Sequence, residues 1–148
     1  MTAIATAADA ARALGLSADA SVEELRIRAS VYTIDSQFEH ALGNHVHGAA
    51  LHELADIASQ GVRLRRAERL LALIRSAAAE VVPVEPEVTT ETDAGMWVAS
   101  VKSGGNITIV RAFHSDLLAA LQFTARALLA REGADGPHCN ALREAVSP

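Results

Sequence analysis

Between Met96 and Arg131 the hydrophobic pattern changes period within one run, and that change most limits what this chain can fold into. Met96, Val98 and Ser100 alternate with Trp97, Ala99 and Val101, the period-two signature of a half-buried strand. Ser103-Gly104-Gly105-Asn106 follows, and its glycines and Asn supply the positive φ angles of a hairpin turn. Ile107, Ile109 and Arg111 then alternate with Thr108, Val110 and Ala112; β-branched residues of this kind suit a pleated, partly buried surface. From Ser115 the spacing becomes helical: Leu117, Leu121, Ala125 and Leu128 form one stripe, with Ser115 as expected N-cap and Gly133 as expected stop.

A hairpin and one helix do not make a stable sheet. Glu87–Thr92 (EVTTET) supplies the third strand, and Asp93-Ala94-Gly95 the turn into Met96. Upstream, Val82-Pro83-Val84-Glu85-Pro86 cannot continue a helix and reads as an extended linker. The expected division is a helical region over 1–82, a linker at 83–86, sheet plus helix over 87–133, and a tail over 134–148. The fold class is α+β: three to four helices, then a small antiparallel three-stranded sheet with one packing helix.

In the helical region, Thr6 or Thr2 caps a first helix that Gly15 ends. Ser21 and Glu24 form a capping box for a second, which runs to Leu42 and breaks at Gly43-Asn44. A third covers Val46–Ser59 and stops at Gln60-Gly61. In the fourth, Leu64, Ala67, Leu71, Ile74, Ala78 and Val81 make a heptad-like seam beside Arg63, Arg65, Arg66, Arg69 and Arg75. In the tail, Asn140 is the expected cap of one short turn.

VTTETDAGMWVASV, a glycine turn and IVRAFHSDLLAALQFTARALL resemble the strand–strand–strand–helix pattern of HicB-type antitoxin domains and of small phage-encoded α/β sandwich domains. The resemblance covers about a third of the chain and implies a fold more than an activity. Ser103-Gly104-Gly105-Asn106 stands where HicB-type proteins usually carry a Leu-Pro-Gly-like turn. Two further stretches resemble known motifs. AARALGLS with the capped helix after it is similar to part of a helix-turn-helix, although its turn, Ala18-Asp19-Ala20, is long. LGLSADASVEELR is similar to the opening of a J-domain, but the His-Pro-Asp such a domain needs does not follow.

Composition narrows function. Aromatic residues are 3% of the chain and the net charge is −5. The first argues against a base-stacking platform and the second against a broad basic field for nucleic acid. Lys102 is the only lysine, and an Ala- and Arg-rich, Lys-poor chain suggests a GC-rich bacterial or phage genome. The single cysteine, Cys139, excludes an internal disulfide and fits a reducing compartment. MTAIATAADAARAL has no basic n-region, so no signal peptide is expected. No apolar run approaches the roughly 20 residues a membrane span needs, and the expected location is the cytoplasm.

Four of the six histidines lie close together: His40, His45, His47 and His52, near Asp56. The His-x-x-x-His pair preferred by zinc is absent, and only His52 and Asp56 stand at i,i+4. His45, His52 and Asp56 are therefore weak metal candidates, and no metal or cofactor is expected. His138 beside Cys139 is a poor nucleophile–base pair, since sequence neighbours seldom point at one another.

The expectation is thus a non-enzymatic intracellular protein of the phage or mobile-element accessory kind. It would act by binding another protein, for instance inhibiting a host-defence or toxin protein, and would form a homodimer. Arg63, Arg65, Arg66, Arg69, Leu71, Trp97 and Ile109 are the expected interaction residues, with Leu71 or Ile109 at the dimer interface. A DNA-binding regulator or antitoxin using Ser21–Ala29 or the arginine helix, and a metal-dependent enzyme using the histidines, are the alternatives.

Overall fold

The computed structural model describes residues 4–147. The element order is α1 (Ala7–Ala13), α2 (Val22–Ala41), α3 (His45–Val81), β1 (Pro86–Asp93), β2 (Met96–Ser103), β3 (Ile107–His114), α4 (Leu117–Leu129) and α5 (Pro137–Val146). The α+β class holds: helices first, then a three-stranded antiparallel sheet of order β1-β2-β3 with helix packing. Among the described residues, no helix is long and apolar enough to cross a membrane. The chain forms two compact units, 1–66 and 67–148.

The first unit begins with two capping boxes. Thr6 accepts the Asp9 N–H at 3.1 Å and Asp9 accepts the Thr6 N–H at 3.1 Å. Ser21 and Glu24 repeat the exchange at 3.1 and 2.8 Å. Each box pairs backbone donors that a helix start otherwise leaves open. Thr2, the alternative first cap, lies outside the described residues. α2 and the start of α3 run antiparallel, with the Ser36 hydroxyl on the Gly48 carbonyl at 2.6 Å. The core here is small: Ala11, Ala20 and Leu25, joined by Leu14, Leu16 and Val62.

The break expected at Gln60-Gly61 does not occur, because α3 is continuous through it. A Cβ at Gly61 would lie 2.9 Å from the Ala10 Cβ and 3.3 Å from Leu25. The residue is small to let α1 and α2 approach, and close packing outweighs its poor helix propensity.

The second unit holds the larger core. Ala67, Leu70, Ile74, Ala77 and Ala78 of α3 cluster with Val88, Ala99, Val101 and Val110 of the sheet, Leu121, Ala125 and Leu128 of α4, and Cys139 and Leu142 of α5. The units divide between Arg66 and Ala67, inside α3, rather than at the linker expected over 83–86. Val82 and Val88, on either side of that segment, share one core. The segment itself is held, since Ser103 Oγ donates to the Val84 carbonyl at 2.8 Å and Gly104 N–H to the Glu85 carbonyl at 3.2 Å.

β2 is buried on both faces from Val98 to Val101, not on one. It is the central strand, and Glu91, Arg111 and Phe113 of its neighbours lie on the face opposite α4, beside Val98 and Ser100. The β1–β2 turn places Ala94 and Gly95 at φ 51° and 80°, both positive as a two-residue hairpin turn of primed type requires. A register shift near Val101/Lys102 leaves Ile109 as an extra residue in β3, a β-bulge.

Asp116, not Ser115, caps α4 by accepting the Ala119 N–H at 3.0 Å. The tail forms a full helix, α5, with Gly136 at its N-cap and Pro137 at its start, and Asn140 lies inside it. Glycine has no side chain to cap with, and Glu80 of α3 takes that role. Its carboxylate accepts from the N–H groups of His138 and Cys139 at 3.1 and 2.8 Å.

Candidate interaction surfaces

Of the arginines, Arg63 and Arg66 are exposed in the first unit and Arg69 in the second. Arg65 is half-buried and donates to the carbonyls of Ala20 and Ala18 at 3.1 and 2.8 Å. Its guanidinium therefore closes the α1–α2 connection onto α3. Leu71, Trp97 and Ile109 are all partly buried against the core of the second unit. The half-buried Trp97 stands in β2 opposite Thr92 and His114.

The histidines are exposed. The break after α2 brings His40 against His45, with Nδ1 atoms 3.0 Å apart. Gly48 makes room for the His40 ring, since a Cβ there would lie 2.8 Å from it. His52 and Asp56 form a solvent-exposed pair at 3.6 Å. Among the described residues, no three His, Cys, Asp or Glu side chains are grouped to hold a metal ion.

Cys139 is fully buried in α5, with Sγ 3.8 Å from the Ala77 carbonyl. Burial first, and the Glu80 carboxylate second, push its thiol above the ordinary range. A thiolate nucleophile is disfavoured there.

Exposed apolar side chains occur in both units. In the second unit, Met96, Ile107, Phe113 and Phe123 are exposed. Phe123 of α4 contacts the His114 ring, and the Arg111 guanidinium lies 5.4 Å over Phe113. Ion pairing of Arg111 with Glu91 at 4.0 Å ties β3 to β1 across the sheet. In the first unit, Ile27, Val31, Ile34, Phe38 and Leu42 of α2 and its end are exposed. Sequence reading carried this helix from its capping box to Leu42 without separating the outward stripe from the inward one.

No family model matches the chain, and no curated protein and no solved structure matches it.

Proposed function

We propose that this chain is a small intracellular accessory protein of the phage or mobile-element kind that binds another protein, inhibiting a host-defence or toxin protein. It takes an extended segment of that partner as a fourth strand along β3. The observation that carries this reading is the inequality of the two sheet edges. β1 is guarded: it starts at Pro86 and carries Glu87, Glu91 and Asp93, the features that keep an edge from pairing. β3 has no proline and no acidic residue. Beyond its bulge, Val110–His114 is a regular stretch carrying the exposed Phe113. Main-chain hydrogen bonds to such an edge give affinity, and side chains at alternate positions give selectivity. The partner segment is apolar, to meet the exposed Phe113. The phage setting rests on composition and on the HicB-type resemblance.

Arg63, Arg65, Arg66 and Arg69 would serve a nucleic-acid role. Arg65 is already bound to two backbone carbonyls, so that role has weaker support. The test is affinity capture from bacterial lysate with the wild type and with Phe113→Lys, which guards the edge without touching the core. Capture of one protein by the wild type and its loss with the variant supports the reading. Equal capture by both contradicts it.

A further inference from the structure

α2 is apolar on two opposite faces. One turns to the rest of the first unit: Leu25 and Ser36 are buried, and Ala29 and Tyr32 half-buried. The other carries Ile27, Val31, Ile34, Phe38 and Leu42, which are 53%, 44%, 64%, 62% and 59% exposed. At 100° per residue the first four of these lie within a narrow stripe half a turn away from Leu25 and Ser36. The outward face thus holds larger apolar side chains than the inward one, the reverse of what a helix covering a small core requires. Scattered exposed apolar residues are ordinary, but an unbroken stripe is not.

We infer that this stripe is the interface between two copies of the chain, with the two α2 helices packed antiparallel. The spacing from Ile27 to Phe38 is four, three and four, the alternation that seats side chains in a two-helix seam. In an antiparallel pair Ile27 meets the second copy's Phe38, and Val31 meets its Ile34. Large thereby faces smaller in the outer layers, and a two-fold axis crosses near Tyr32 and Thr33. This register also places Arg28 beside the second copy's Asp35, and the symmetry makes that pair twice. Both side chains are exposed, and neither is in an ion pair among the described residues.

A parallel pair would set Arg28 beside the second copy's Glu23. Glu23 is already bridged to Arg26 at 3.6 Å, and Asp35 would have no mate. Charge complementarity therefore selects the antiparallel arrangement. The exposed parts of the five apolar side chains come to about 500 Å² per copy, so a pair buries on the order of 1,000 Å², where specific interfaces begin. This assignment uses the first unit only and stands or falls separately from the strand-edge reading.

Sedimentation velocity on the full chain, with circular dichroism as the fold control, tests it. The wild type is expected to be a dimer at about 100 μM, a concentration at which even micromolar affinity is saturating. Ile34→Glu, at an exposed site, should be monomeric with an unchanged spectrum. Arg28→Asp and Asp35→Arg should each weaken the dimer about tenfold by setting like charges together, and the double variant should recover most of the loss. That recovery is specific to the antiparallel register, since in a parallel pair Asp at 28 would still face Glu23. A monomeric wild type, including one that binds anionic vesicles or another protein through this stripe, overturns the proposal. So does an Ile34→Glu dimer, or a double variant no tighter than the single ones.

Discussion

Glu80 caps a helix 58 and 59 residues away in sequence, because Gly136 leaves α5 without a side-chain cap. Burial opposes ionisation of its carboxyl, but the N–H groups of Cys139 and His138 outweigh that and hold it below the ordinary 4.5. A carboxyl lowered in the folded state stabilises above its unfolded pKa, and the contribution is lost as pH falls through the folded value. Glu80→Gln should therefore lower stability at pH 6, with the gap to wild type narrowing below the ordinary 4.5. Urea unfolding of both proteins from pH 6 to pH 3 checks it; a gap that does not change with pH would contradict the assignment. Local caps were legible in the sequence, since Ser21 and Glu24 announce themselves three residues apart. Glu80 was not, because its partners lie in a segment whose helix begins with a residue that cannot cap. Cys139 was misplaced for the same reason: a tail read as one short turn is α5, and its thiol is core.

Helix α3 shows the same limit at the scale of elements. Glycine is a poor helix residue, so Gln60-Gly61 reads as a stop, yet the helix continues because Ala10 and Leu25 crowd that position. On propensity alone Gly61→Ala should stabilise by about 1 kcal/mol. The added Cβ would meet the Ala10 Cβ at 2.9 Å, and overpacking of this kind costs about 1–3 kcal/mol. The expected outcome is a net loss of stability, read as a lower melting temperature, and a gain would show that α1 does not sit where described. The sheet was more legible. Period-two runs and glycine turns placed all three strands, and Ala94-Gly95 forms the turn expected of it. What period two did not reveal is that β2 is buried on both faces, as the central strand with β1 and β3 on either side of Val98 and Ser100. The seam in α3 was also drawn slightly off: Leu70 and Ala77 are core, whereas Leu64 is only half-buried.

Across the whole molecule, each unit closes a core of its own and still leaves apolar side chains outside it. The candidate chemistry has gone the other way. Cys139 is enclosed, Arg65 is bound to backbone, His40 pairs with His45 and His52 with Asp56. A net charge of −5 gives no broad attraction to nucleic acid. The surfaces proposed to act are the β3 edge, which would take a strand from a partner protein, and the outward face of α2. Hydrogen exchange, read by mass spectrometry on the chain alone and with the captured partner bound, tests strand addition to β3. Slower exchange at the amides of Val110–His114, with Glu87–Asp93 unchanged, is the result predicted, because a paired edge strand exchanges its open N–H groups more slowly. Protection confined to Arg63–Arg69 of α3, with β3 unaltered, would contradict it.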